Sequence, residues 1–380
     1  MCHRWRAITI ATPTLWSDIV IPSSHPHRLR AALDVARLCV ERSGSCPISL
    51  TWHHRDWNQD PIIHDVLSPV LGRLENLTIF TGGFRSRDSL LVVLGTISFT
   101  VLKSFRCYVA RTHHLANASL TPINIHAPHL RHGTFTNFTI PTGAFSSLIT
   151  LEITLSPGYI WRFDASKIFD LLREIAQTLK TLRFRAPDAI LRDHTSSTPN
   201  IQLPKLVTLD LRSASGLLTL ISTPNLHTLT LEDYAEALAS PFTSFHAPKL
   251  KHLELDGIPL LDLETVSDFP WRFQKLESVV LYHCQSTKSF FHHASSTRDS
   301  IPGFPSLYSI VFSDPDTFPS IRSMVEGRNA AGPGYPTLKR LRFVTWNDAL
   351  GAGDVEWLTA QGIDFSEGIH TGRSQPRKAF

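Results

Sequence analysis

Three kinds of side chain in this sequence could do chemistry. Histidine occurs in adjacent pairs, His53-His54, His113-His114 and His292-His293. A metal ion needs side chains that converge, and adjacent side chains diverge. Each pair also lacks a third group at helical or hairpin spacing. All three pairs therefore read as solvated loop histidines. His3 lies beside Cys2 at an exposed terminus. Five cysteines, Cys2, Cys39, Cys46, Cys107 and Cys284, are odd in number and irregular in spacing, with no CxxC pair. They support neither a disulfide framework nor a zinc site, and they fit a reducing compartment. Carboxylates at Glu232, Glu254 and Asp256 could meet as an acid/base pair, but the pattern around them places them on a solvated surface row. No GxGxxG, GxxxxGK[ST] or GxSxG string occurs, and Gly82-Gly83 and Gly332-Pro333-Gly334 read as turns. The expectation is a protein with no catalytic residue, no cofactor and no metal, and not an enzyme.

The bulk composition agrees. With 37 Lys+Arg against 33 Asp+Glu the formal charge is +4, too small over 380 residues to argue for nucleic acid without a clustered basic face. Hydrophobic residues at 42% and charged residues at 18% place the chain among globular rather than disordered sequences. The first residues, Met1-Cys2-His3-Arg4-Trp5-Arg6, carry no apolar signal-peptide core, and no run of roughly 18 apolar residues occurs. A soluble cytoplasmic or nuclear protein with no membrane partner is expected.

What must position any functional side chain is a repeat. From Leu74 onward the string Leu-x-x-Leu-x-Leu recurs, often led by Pro-x, with Ile, Val or Phe as substitutes. The clearest copies are Leu206-Val-Thr-Leu209-Asp-Leu211, Leu226-His-Thr-Leu229-Thr-Leu231 and Leu250-Lys-His-Leu253-Glu-Leu255. Copies at Leu276, Leu307 and Leu338 follow, and looser ones begin at Leu74, Leu102, Leu130, Leu148 and Leu179. Successive copies lie roughly 18 to 31 residues apart, near the leucine-rich-repeat period. The last two apolar positions are two apart, which is strand alternation. One such strand cannot bury its apolar side alone, whereas stacked parallel copies bury a continuous core. The leading proline suits a strand entry, where it need not donate to the ladder.

Connectors vary. Ser166 to Leu179 has a helical stripe at Ile168, Leu171, Leu172, Ile175 and Leu179, and Pro61 to Leu74 has a similar one. The stretch between Leu211 and Pro224 is too short for a crossover helix and predicts a turn or one 3₁₀ turn. A doubly wound fold is the competitor, and these short connectors argue against it. The expected fold class is α/β, a leucine-rich-repeat-like solenoid of parallel strands with helical or irregular connectors, over residues 23–365. Residues 1–22 form a short helical cap at its open end, and 366–380 a flexible tail. Asp193 to Asn200 and Phe291 to Gly303 are expected to be loops leaving the solenoid. Leucine-rich repeats carry an Asn or Cys after the strand that bonds neighbouring backbones, and here that series reads as absent or irregular.

In this pattern the residues flanking the middle Leu face out onto a concave sheet. They include Arg183 and Arg185; Asp210 and Arg212; Glu232; His252, Glu254 and Asp256; Tyr282; and Arg340 and Arg342. The row changes sign along its length. That suits a protein with complementary patches and not a nucleic-acid track, which needs one positive groove. The alternative is a merely solvated face.

The first residues add a distinctive string, Cys2-x-x-Trp5-Arg6-x-Ile8 followed by Thr12-Pro13-x-Leu15-Trp16. A short helix presents Trp5, Ile8 and Ile10 on one side, and Thr12-Pro13 stops it. Trp5 and Trp16 read as packing residues. Ala31 to Arg42 then reads as an amphipathic helix, turning at Ser43 to Pro47 into Ile48-Ser-Leu50. The string resembles the second half of an F-box, and the layout resembles fungal-type F-box proteins with degenerate leucine-rich repeats. The direct resemblance spans about twenty residues. It implies an F-box remnant whose adaptor-docking residues are Cys2, Trp5, Arg6, Ile8, Pro13, Leu15 and Trp16. It implies a substrate-recognition subunit that docks on a Skp-family adaptor of a cullin–RING ubiquitin ligase and holds an unknown substrate protein, and that is monomeric outside its complex. The Leu-Pro-x-Glu opening of an F-box would precede Cys2, so the chain is expected to carry the motif's second half only. The alternatives are a stand-alone repeat scaffold that has lost ligase docking and, with no motif in its favour, an α/β hydrolase.

Overall fold

The computed structural model describes residues 3–22, 26–54, 68–81, 97–109, 125–137, 145–156, 165–187, 201–232, 245–258, 272–284, 287, 291, 297–298, 301–302, 304–330, 337–345 and 350–369. The chain divides into two compact units, Met1–His194 and Thr195–Phe380.

In the first unit seven strands pair in parallel and in chain order: β1 (Asp18–Ile21), β2 (Ile48–His54), β3 (Leu74–Thr81), β4 (Ser104–Val109), β5 (His132–Thr136), β6 (Thr150–Thr154) and β7 (Thr181–Arg185). The helices are α1 (His3–Ala11), α2 (Pro26–Arg42) between β1 and β2, and α3 (Ala165–Glu174) between β6 and β7. The second unit opens with the short β8 (Ile201–Gln202), β9 (Thr208–Arg212) and β10 (Ile221–Ser222). Then come β11 (Thr228–Glu232), β12 (His252–Asp256), β13 (Ser278–Tyr282), β14 (Thr297–Arg298), β15 (Ile301–Pro302), β16 (Ser309–Phe312), β17 (Arg340–Thr345) and β18 (Asp364–Ile369). Its main sheet runs β9, β11, β12, β13, β16, β17, β18, again parallel. Helices α4 (Phe318–Ala330) and α5 (Ala352–Ala360) connect its last three strands. Within each unit spatial order follows chain order. A doubly wound sheet would reverse direction at a switch point, and neither unit does. Each unit is a leucine-rich-repeat-like α/β solenoid with an open sheet. Among the described residues no helix is long and apolar enough to cross a membrane.

The repeat explains the core. In the second unit the register stacks Leu209, Leu229, Leu253, Val279, Ile310 and Leu341 in one column and Leu211, Leu231, Leu255, Leu281, Phe312 and Phe343 in the next. All are buried. The opening leucines 206, 226, 250, 276, 307 and 338 are buried beneath them. Burying a side chain of this kind is worth about 1.5–3 kcal/mol, so stacking is what stabilises strands only four to six residues long. Gly133 interrupts the corresponding column of the first unit. A Cβ there would lie 3.0 Å from the Phe135 ring, so Phe135 fills the space that a leucine occupies elsewhere.

The leading proline has a more specific role than strand entry. Leu206, Leu226, Leu250 and Leu307 each donate their N–H to the carbonyl three residues back, at Leu203, Thr223, Ala247 and Phe304. Proline follows each of those four residues, at position i+1 of a β-turn, where its fixed φ favours the turn. Successive turns are tied together. Asn225 Nδ2 donates to the Pro204 carbonyl at 2.6 Å, Lys249 Nζ to Asn225 Oδ1 at 2.6 Å, and Ser306 Oγ to the Gln274 carbonyl at 2.7 Å.

Strand exits share a geometry that the sequence pattern did not reveal. Asn137, Ser213, Gly257 and His283, each one residue past a strand, have φ between 49° and 69°. The N–H groups of Asn137, Ser213 and Gly257 then reach the carbonyls of Thr154, Glu232 and Tyr282 on the next strand, while that of His283 reaches Ser313 Oγ. The series of bonding side chains after the strand, expected to be absent or irregular, is represented among the described residues at two places. Asn137 and Cys284, both buried, bond the backbone of a neighbouring strand.

The connectors divide. Helix α3 buries Ile168, Leu171 and Leu172 as its stripe predicts, with Ile175 and Leu179 buried beyond its end. The 211–224 connector holds one 3₁₀ turn, Ser215–Thr219, followed by β10, which pairs in parallel with β8. The expected helix from Pro61 to Leu74 differs: 61–67 lie outside the described residues, Ser68–Val70 is a 3₁₀ turn, and Leu74 begins β3. The expected tail is also corrected. Residues 366–369 belong to β18, which continues the ladder against β17, and 370–380 lie outside the described residues. Of the two expected loops, 193–200 lies outside them, and 291–303 contains the antiparallel β14–β15 pair and the buried Phe291.

Candidate protein-binding surfaces

Two surfaces carry the residues singled out by the sequence. The first is the amino-terminal string. Helix α1 buries none of its residues. Trp5 is 66% exposed and Leu15 61%, with Ile8, Ile10, Arg6 and Pro13 also exposed. Cys2 lies outside the described residues. The expectation that Trp5 packs is therefore wrong, as is that of a helix burying its apolar side over the end of the solenoid. Helix α2, the connector from β1 to β2, lies against β1 and the Pro13–Trp16 turn. Trp16 behaves as expected of a packing residue. It is half-buried, its Nε1 donates to the Thr9 carbonyl at 2.7 Å, and the Arg42 guanidinium lies 4.4 Å over its ring. One string thus holds two tryptophans in opposite situations.

The second surface is the open face of each sheet. In the first unit Arg183 and Arg185 are exposed on β7, and Arg183 lies 4.0 Å from Glu152 on β6. The row that starts at β2 was not read from the sequence. His53, Phe80 and Tyr108 occupy one register row, with ring centroids 4.4 Å and 4.8 Å apart and interplanar angles of 8° and 10°. His53 is therefore a strand residue in an aromatic stack, not a loop histidine. Applying the outward-facing rule to the looser early copies would have found it. The side chain of His54, and both other histidine pairs, lie outside the described residues.

In the second unit the register brings together Asp210, Arg212, Glu232, His252, Glu254 and Asp256 on β9, β11 and β12. Arg212 lies 3.4 Å from Asp210 and 3.0 Å from Glu232. Partial burial works against its charge, but the carboxylates of Asp210, Glu232 and Glu254 outweigh that and raise its pKa above the ordinary value. Asp256 reaches His283 Nδ1 at 2.9 Å. Tyr282 follows on β13, and Arg340 and Arg342 stand exposed on β17. The carboxylates lie along an open strand face, each within reach of a cation or hydroxyl, so the arrangement can bind charge. Among the described residues no group of three or more His, Cys, Asp or Glu side chains could hold a metal ion.

Comparison with protein-family models gives no match for the chain, and comparison with curated proteins gives none either.

Proposed function

We propose that this chain is a protein-binding substrate-recognition subunit of the F-box kind, in which the amino-terminal string docks a Skp-family adaptor and the open strand faces hold a substrate protein. The observation that carries the reading is the exposure of Trp5 and Leu15 on the string that resembles an F-box. Large apolar side chains left exposed are candidates for interaction surfaces, and tryptophan is enriched among the residues that dominate binding energy. Trp16 supports the same division: it anchors the string to α2 through Arg42 and leaves Trp5 to a partner.

A pull-down and titration of the chain with a purified Skp-family adaptor tests this. Saturable binding, weakened at least about tenfold by Trp5→Ala or Leu15→Ala, is the expected result. No binding by the folded chain, or binding that both substitutions leave unchanged, would overturn it in favour of a stand-alone repeat scaffold. A companion chain extended by a Leu-Pro-x-Glu opening and its helix separates the two cases. If only the extended chain binds, the string alone is insufficient for docking.

A further inference from the structure

The open face of the second unit is electrically polarised along the stacking direction, and the polarity defines what fits it. At its start, on β9, β11 and β12, four carboxylates (Asp210, Glu232, Glu254 and Asp256) face one guanidinium, Arg212. The flanking groups do not reverse that excess. Lys251, at the entry of β12, is held by Glu277 at 2.7 Å, and His283 carries charge only when protonated. Next, on β13 and β16, the outward positions carry no charge: Val280, Tyr282 and Val311 supply apolar and aromatic surface beside Ser278 and Ser309. Finally β17 presents Arg340 and Arg342, both exposed, with Asp364 beside Arg340 and Ser366 beside Arg342. Every neighbouring pair in this series is in continuous register, so the order of acidic, apolar and basic positions is fixed by the backbone.

We infer that this face takes an extended protein segment with the opposite order, basic at one end, apolar in the middle and acidic at the other, lying across the strands. The inference rests on the open face being a protein-binding surface and adds what binds there. Strands lie about 4.8 Å apart, so β11, at the centre of the acidic group, is roughly 19 Å from β17. An extended chain covers that distance in about six residues at roughly 3.3 Å each. The charge order supplies direction and selectivity: a segment laid the other way sets like charges against each other at both ends.

The test uses the full chain and fluorescently labelled peptides of about a dozen residues, read by anisotropy at low and high salt. One peptide carries a lysine block, an apolar centre and a glutamate block about six residues from the first. A second has the same composition with the charges alternating. The expected result is at least about tenfold preference for the block peptide, shrinking as salt rises. Arg340→Glu with Arg342→Glu, at exposed positions that leave the fold intact, should instead prefer a peptide basic at both ends. Glu254→Lys, which leaves three carboxylates against two cations at the acidic end, should narrow the preference for the block peptide. Equal affinity for the block and alternating peptides, or variants with unchanged preferences, would overturn the inference. So would a chain dimer dissociated by the Arg340→Glu, Arg342→Glu pair, which would make a second copy the occupant. The peptides contain no adaptor, so failure of adaptor docking leaves this result standing, and failure here leaves adaptor docking standing.

Discussion

The Asn137 side chain donates from Nδ2 to the Val109 carbonyl oxygen at 3.1 Å, joining the exit of β5 to the end of β4. The same side chain accepts the Ser156 N–H on Oδ1 at 2.7 Å, on the far side of β6. One buried amide therefore ties three successive repeats, and it does so from a left-handed backbone with φ of 51°.

Asn137→Ala removes both bonds to backbone groups of its neighbours and strains the backbone. A loss of about 2–4 kcal/mol is expected in urea unfolding of the full chain. Asn137→Gly loses the same bonds but relieves the φ strain, so it should be less destabilising than alanine by about 1 kcal/mol. Equal losses would show that the left-handed exit costs nothing.

Trp5 and Trp16 should separate in the same assay. Trp16→Ala loses the bond to Thr9 and the Arg42 contact, for an expected cost of about 1–2 kcal/mol. Trp5→Ala removes an exposed ring and should stay within about 0.5 kcal/mol of the parent chain. A large loss from Trp5→Ala would mean that α1 contributes to the fold.

Arg328 is buried within α4, where Nη1 donates to the Leu307 carbonyl at 2.7 Å and Nη2 to that of Pro305 at 3.3 Å. Burial pushes its pKa down to about 10, so it remains charged at neutral pH. Arg328→Ala leaves both turn carbonyls without their donor and opens a cavity, and it should cost about 3 kcal/mol. Arg328→Lys replaces a planar fork by a point charge and should recover only part of that. Full recovery by lysine would show that the charge matters and the fork does not.

Cys284 is held as a thiol. Burial pushes its pKa up to about 12, from an ordinary 9.0, and its Sγ–H reaches the carbonyls of Leu255 and Tyr282. The folded state therefore holds this proton more tightly than the unfolded chain. The associated stability is complete below pH 9.0 and is lost as pH rises towards about 12. The slope is at most about 1.4 kcal/mol per pH unit. Urea unfolding of the parent chain and of Cys284→Ala, compared at neutral pH and near pH 10.5, should show the parent losing more on going to high pH. Parallel losses would mean that the thiol does not titrate differently in the two states.

The sequence by itself determined the parallel stacking, because Leu-x-x-Leu-x-Leu demands burial on one side of a short strand and no single copy can supply it. It also determined which residues face outward on β9 to β17, because side chains alternate with a period of two. Helix α3 was legible from its apolar stripe, and the 211–224 connector from its length. Other features were decided by the tertiary structure. The strand exits depend on a left-handed residue that Asn, Ser, Gly and His each supply, so no single residue type marks them. The His53–Phe80–Tyr108 stack joins residues about 27 apart in sequence, and only strand register places their rings face to face. Trp5 and Trp16 belong to one string and one residue type. Whether each is buried depends on whether another element reaches it: α2 brings Arg42 over Trp16, and among the described residues nothing covers Trp5.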